Sequence, residues 1–137
     1  MSRYKNFLSS LEVYLSSANR NSKDIELIAV SKKKSATDIQ KVINEGHQSF
    51  GENQIQEIEN KWPDLKKINS NINLHFIGSI QSRKVEQIHK YCEVIQSIDR
   101  KKIVKKFAEL ETSQDIKRKY FCLLYTSPSP RDLSTSR

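Results

Sequence analysis

The chain has 137 residues, enough for one domain or part of one and well short of the about 250 that a complete eight-stranded α/β barrel takes. Hydrophobic residues make up 36% and charged residues 29%, so a core can be buried while the surface stays solvated, and no apolar run approaches the ~20 residues of a membrane span. The formal charge of +8 is spread along the chain without a helix-turn-helix, zinc or aromatic RNA-binding signature, so neither nucleic acid nor a membrane is expected as a partner.

The opening Met1-Ser-Arg-Tyr-Lys-Asn shows no export signal, and Cys92 and Cys122 lack the close spacing of a zinc site or redox pair. A cytoplasmic protein is expected, with the mitochondrial matrix as the alternative. Tyr4, Phe7, Leu8, Leu11, Tyr14, Leu15 and Ala18 fall at helical spacing and predict a leading helix over 4–18. Ile25 to Val30 is a short, nearly continuous apolar run, as in a parallel strand buried on both faces, and Ser31-Lys32 stands at its C-terminal end. Ser35 can cap the next helix, with Asp38 in its first turn, Ile39, Val42 and Ile43 as its buried stripe and Gly46 as its stop.

A second strand runs through Gln48-Ser-Phe50 into Gly51-Glu52-Asn53. Ile55, Ile58 and Trp62 are spaced for a helix that Pro63 should end, and Leu74-His-Phe-Ile-Gly78 is a third strand. Val85, Ile88 and Tyr91 mark a helix, Val94-Ile-Gln-Ser-Ile98 a fourth strand, and Ile103, Val104, Phe107 and Ala108 the apolar side of another helix. The basic cluster of Arg100, Lys101, Lys102, Lys105 and Lys106 reads as the wet face of that last helix. Strands therefore begin near 25, 48, 74 and 94 with a helix between each pair, a βα repeat that implies a parallel sheet. Periodicity does not choose between an open doubly wound sheet and a barrel.

Lys119 to Leu124 begins like a fifth strand and then runs into a Ser/Pro-rich stretch ending at Arg137. The expected organisation is a folded unit over 1–121 and an unstructured tail over 122–137. The tail resembles translated sequencing-adapter sequence, with a natural Ser/Pro tail as the alternative.

Active sites in parallel βα arrays assemble at the C-terminal ends of the strands, here Ser31-Lys32, Gly51-Glu52-Asn53, Gly78-Ser79 and Asp99-Arg100. A lysine leaving a buried strand can be desolvated and made nucleophilic, which makes Lys32 a candidate Schiff-base residue; the plain alternative is a surface lysine in the Lys32-Lys33-Lys34 cluster. Gly51 and Gly78 serve either a positive-φ turn or close approach of a ligand, Asn53 either a ligand or a helix N-cap, and His75 is by default a satisfied core histidine.

Four ordered motifs sharpen this reading: Ile28-Ala-Val-Ser-Lys32; Phe50-Gly-Glu-Asn53 with Gln56-Glu57; Leu74-His-Phe-Ile-Gly78 with Gln81-Ser82 and Lys84; and Ser97-Ile-Asp-Arg100. Together they resemble the pyridoxal phosphate homeostasis protein family over residues 5 to about 120. The resemblance implies a partial TIM (β/α)8 barrel of pyridoxal phosphate fold type III, related to the N-terminal domain of alanine racemase. It implies pyridoxal 5'-phosphate as cofactor, Lys32 as its covalent holder, Asn53 beside its ring, and His75 and Gly78 on the same rim, with Ser31 and Arg100 in supporting roles. Lys33-Lys34-Ser35 departs from the family's usual Thr or Asn, Lys and Pro, so the loop after Lys32 is expected to be less rigid. The family's phosphate-binding loops come from the second half of the barrel and have no counterpart here, so the chain reads as C-terminally truncated.

The function implied is binding of the cofactor through Lys32, limiting the free aldehyde and supplying it to apo-enzymes without turnover, by a monomeric protein. Two other classes stand beside it: an amino-acid racemase of the alanine racemase type, which requires a second domain supplying an opposing tyrosine, and a basic nucleic-acid-binding module, which requires steep salt dependence.

Overall fold

Five parallel strands lie side by side in chain order in the computed structural model, which describes residues 2–123. They are β1 (Ala29–Val30), β2 (Ser49–Glu52), β3 (Asn73–Phe76), β4 (Val94–Ile98) and β5 (Lys119–Cys122). The helices are α1 (Arg3–Ser17), α2 (Ala36–Asn44), α3 (Ile55–Ile68), α4 (Val85–Tyr91) and α5 (Lys101–Gln114). A doubly wound sheet reverses its strand order at a switch point, whereas the order here runs β1-β2-β3-β4-β5 without reversal. Successive right-handed crossovers then place α2 to α5 on one face, and the sheet is a partial (β/α) barrel.

The core fills the space between that face and the helices. Ile39 of α2, Phe50 of β2, Ile58, Trp62 and Leu65 of α3, Leu74 and Phe76 of β3, Ile88 of α4, Ile95 of β4 and Ile103 and Phe107 of α5 belong to one buried cluster. Trp62 is its largest member, with its ring 5.3 Å from that of Phe50. Because side chains alternate along a strand, the residues between these, Gly51, His75 and Gln96, point to the opposite, interior face.

Local chemistry fixes the helix ends much as the sequence suggests. Ser35 Oγ accepts from the Asp38 backbone N–H at 3.1 Å, and Gly46 takes a φ of 103°, which a side chain would resist. Four expectations need correction. Pro63 does not end α3, which continues to Ile68: the proline removes one bond to the Glu59 carbonyl, but Leu65 beyond it is buried in the core and Lys66 Nζ reaches Tyr91 O and the Glu93 carboxylate, so tertiary contacts override the proline. Strand β1 is two residues long rather than six, and Val30 is 50% exposed, because β1 has a strand on one side alone among the described residues. Val104 lies on the wet side of α5, where Ile103 and Phe107 take the buried positions. The apolar stripe of α1 buries Leu15 and leaves Phe7 and Tyr14 exposed; the helix is tied down by Tyr4 Oη on His47 Nδ1 at 2.8 Å and by Ser2 Oγ on Glu45.

The fifth strand forms, and it includes Cys122, with Leu123 N donating to Ile98 O at 2.7 Å. The rest of the expected tail lies outside the described residues. No helix of the described residues is long and apolar enough to cross a membrane.

Candidate functional site

The strand register places His75 on the interior face and the other sequence-derived candidates just beyond the strand ends. Val30 pairs with Gly51, Gly51 with His75, His75 with Val94 and Val94 with Lys119, which makes one row across the sheet. Ser31 N still donates to Gly51 O at 3.0 Å and Ile77 N to Glu52 O at 2.9 Å, so the ladders continue past the named strands. Lys32 and Asn53, two residues beyond Val30 and Gly51, therefore stand one row nearer the C-terminal rim than His75.

Lys32 is exposed, and its neighbours are bound. Ser31 is buried and donates from Oγ to Glu52 Oε2 at 2.7 Å and to Gly51 O at 3.2 Å. Lys34 N donates to Ser31 O at 3.1 Å, closing a turn with Lys32 and Lys33 at its centre. Lys33 has φ 62°, the left-handed region that the third residue of a type II turn requires and that lysine rarely adopts. Its N–H donates to Glu57 Oε2 at 2.8 Å, and Lys61 Nζ donates to Ser31 O, Lys34 O and Glu57 Oε2 at 3.0, 3.2 and 2.9 Å. The turn after β1 is thus held by hydrogen bonds at three of its four residues.

Glu52 is the hub of these contacts and the residue that sequence reasoning missed. It shares the helix-facing side of β2 with Phe50 and is fully buried; besides Ser31, its Oε2 accepts from Trp62 Nε1 at 2.9 Å and pairs with Lys61 at 2.9 Å. The other oxygen, Oε1, has no hydrogen-bond partner among the described residues. The side-chain hydrogen bond from Lys61, then that from the Lys33 N–H, hold the Glu57 carboxyl below its usual range. Burial pulls Lys61 down, but hydrogen bonds to Glu57 and Glu52 outweigh it and leave the amine above its ordinary value. One signal was legible: alternation puts Glu52 beside Phe50 toward the helices, where a carboxylate must find partners, and Lys61 follows Glu57 by the four residues that join side chains along a helix.

Asn53 and Gly78 are brought together. A Cβ at Gly78 would stand 2.4 Å from Asn53 O and 2.9 Å from its Cα, so Gly78 exists to let the β2–α3 backbone lie against the loop after β3. Neither Gly78 nor Gly51 has positive φ, and Asn53 is not the N-cap of α3, a position Gln54 holds without a side-chain bond. At Gly51 the neighbours are the Ile28 and Ile77 side chains, each 3.1 Å from where a Cβ would be. Ser97 Oγ donates to Gly78 O, and Arg100 Nη2 to Ile80 O at 2.8 Å, so the fourth motif fastens the Gly78 loop. Beside it a cavity of about 300 Å³ is lined by Asn53, Gln54, Gln56, Ser79, Gln81 and Lys84 among others.

His75 is buried on the interior face, with Gln96 Nε2 on its Nδ1 at 2.8 Å and Glu26 Oε1 3.3 Å from Nε2. Those partners fit a neutral ring carrying its proton on Nε2, and burial holds its pKa below the ordinary value, with Glu26 opposing. This is the satisfied histidine of the default reading, one row below the rim, with no hydrogen bond to Lys32 or Asn53.

No protein-family model matches the sequence. Over 81 residues, however, it is 44% identical to the pyridoxal phosphate homeostasis protein of Buchnera aphidicola subsp. Acyrthosiphon pisum, a match covering 59% of this chain and 40% of that protein. The chain is similar to the pyridoxal phosphate homeostasis proteins. The counterpart in Haemophilus influenzae is 33% identical over 99 residues, 72% of this chain and 42% of that protein. Among solved structures, PipY of Synechococcus elongatus PCC7942 with PLP bound superposes with a TM-score of 0.73 at 25% identity, over 89% of this chain and 59% of that one. A protein of unknown function from Bifidobacterium adolescentis, at 22% identity and TM-score 0.78, shares the fold. The chain thus spans about 40% of the length of the pyridoxal phosphate homeostasis proteins it matches.

Proposed function

We propose that this chain is the first part of a barrel that binds pyridoxal 5'-phosphate reversibly on Lys32, and that the complete gene product, in the cytoplasm, limits the free cofactor and passes it to apo-enzymes. The observation that carries the reading is the Ser31–Lys34 turn at the end of β1, in which hydrogen bonds engage Ser31 and the backbone of Lys33 and Lys34 and leave Lys32, the first lysine after the strand, exposed. The PLP-bound PipY structure and the names of the similar proteins support the choice of cofactor.

The residues present fit one end of that cofactor. When bound, it contributes an aldehyde carbon to which Lys32 Nζ joins as a Schiff base, one C=N bond forming and one water leaving. Asn53, wedged against Gly78 just past the end of β2, would lie beside the ring, a reading its position at the strand end supports. Arg100 is committed to Ile80 O and Asp99, and Lys61 to the Lys32 turn, so neither is offered as a ligand for the phosphate end. The phosphate cradle belongs to later strands of the complete barrel.

The test is absorption and trapping in the complete gene product. Cofactor bound by the wild type should show a visible absorption band, and borohydride reduction followed by peptide mapping should place the adduct on Lys32. Both should vanish in Lys32→Ala. An unchanged band in that variant would put the covalent link elsewhere and overturn the assignment.

A further inference from the structure

A buried carboxylate and a nearly buried lysine behind the cofactor-facing side of the sheet have no part in the chemistry above. Glu52 and Lys61 lie on the helix side of β2, with side chains 0% and 12% exposed, yet their hydrogen bonds run to the turn that presents Lys32. We propose that Glu52 and Lys61, with Glu57, are positioning residues that hold the Ser31–Lys34 turn in the one arrangement that directs Lys32, and not Lys33 or Lys34, to the interior face. This rests on the reading of Lys32 as the cofactor-binding lysine.

Three adjacent lysines have nearly the same intrinsic chemistry, so backbone geometry has to select among them. Alternation from β1 puts Val30 and Lys32 on the interior side, but strand pairing ends near Ser31, and selection then depends on the turn. The turn needs a positive φ at Lys33, a conformation unfavourable for a residue with a Cβ and maintained where surrounding contacts over-determine it. Those contacts are present: Glu57 holds the Lys33 N–H, Lys61 holds the Ser31 and Lys34 carbonyls, and Glu52 holds Ser31 Oγ. Lys61 Nζ, with three protons, faces Ser31 O, Lys34 O and the carboxylates of Glu52 and Glu57, so its charge and reach cannot be replaced by an apolar side chain. Trp62 Nε1 on Glu52 Oε2 ties the cluster to the core and gives the carboxylate a fixed seat.

The experiment compares site selectivity in the complete gene product. Wild type, Glu52→Gln, Lys61→Met, Lys61→Arg and Glu57→Gln are exposed to pyridoxal phosphate, reduced with borohydride and mapped by mass spectrometry, with thermal melting recorded alongside. The expected result is that Glu52→Gln and Lys61→Met slow labelling of Lys32 on the order of tenfold and spread adducts onto Lys33 and Lys34, whereas Lys61→Arg restores part of the selectivity. Glu57→Gln removes an outer, partly exposed contact, so it should keep a cooperative melt and still lose selectivity; it decides the matter if the buried-site variants do not fold. Variants that melt cooperatively and label Lys32 at the wild-type rate, with Lys33 and Lys34 untouched, would overturn the positioning role. Failure of the wild type itself to label Lys32 would instead overturn the underlying cofactor assignment.

Discussion

Single atoms decide two outcomes that composition does not. Gly78 is compelled by the Asn53 backbone, and a methyl group there would overlap Asn53 O at 2.4 Å. Gly78→Ala should therefore destabilise the fold by about 1–3 kcal/mol, the usual range for overpacking, and weaken cofactor binding by displacing Asn53, as chemical denaturation and a binding titration would show. A variant with unchanged midpoint and affinity would mean that the two loops move apart freely. The cysteines should also separate. Cys92 is fully buried and burial pushes its thiol up to about 12, whereas Cys122 is exposed on β5. Against a disulfide reagent at pH 8, Cys122 should react at once and Cys92 when denaturant is added, because the attacking species is the thiolate. Rapid reaction of both thiols in the native state would contradict the packing around Cys92.

At the scale of elements, two histidines join helix to sheet and strand to strand, and both set a pH dependence. His47 receives Tyr4 Oη on Nδ1 and faces Ser49 O with Nε2 at 2.6 Å, which ties α1 to β2; His75 links β3 to β4 through Gln96. Burial holds both pKa values below their ordinary 6.5. The unfolded chain then binds protons before the native one does, so this stability is present above pH 6.5 and is lost as pH falls through the lower folded values. Glu57 and Glu26 act in a second step. A hydrogen bond from Lys61 lowers the first and one from Ser49 the second, so their contribution is present above the ordinary 4.5 and disappears as pH falls through their lower folded values. Urea midpoints for the complete gene product should accordingly fall between pH 7.5 and pH 5.5 and fall again below pH 4.5. A midpoint flat from 7.5 to 5.5 would show that neither histidine is held neutral in the native protein.

At the scale of the molecule, the sheet is open. Among the described residues β1 and β5 each lack a neighbour on one side, and Val30, Phe121 and Leu123 are about half exposed. Unpaired strand edges template association, and an interior face meant for a barrel core leaves apolar surface in water. Expressed alone, the 137-residue chain should self-associate in a concentration-dependent way, bind hydrophobic dyes and take up pyridoxal phosphate weakly and without selectivity. Light scattering and calorimetry test this. A monodisperse monomer whose cooperative transition rises with the cofactor, and loses that rise in Lys32→Ala, would show the chain to be self-sufficient.

The sequence by itself determined the alternation of strands and helices, the capping at Ser35, the stop at Gly46 and the placement of Lys32 and Asn53 at strand ends, because these follow from short-range periodicity and local hydrogen bonding. Tertiary structure decided the rest. The unreversed strand order, which selects a barrel over a doubly wound sheet, is a property of pairings between segments more than 15 residues apart. The passage of α3 through Pro63 depends on Leu65 finding the core and Lys66 finding Glu93. The reason for Gly78 lies in a backbone 25 positions earlier, and the hold on the Lys32 turn lies in Glu52, Glu57 and Lys61, residues that local patterns read as one strand position and two polar helix positions. Patterns of period 2 or 3.6 assign a residue to a face; which partner waits on that face is fixed when the chain brings distant segments together.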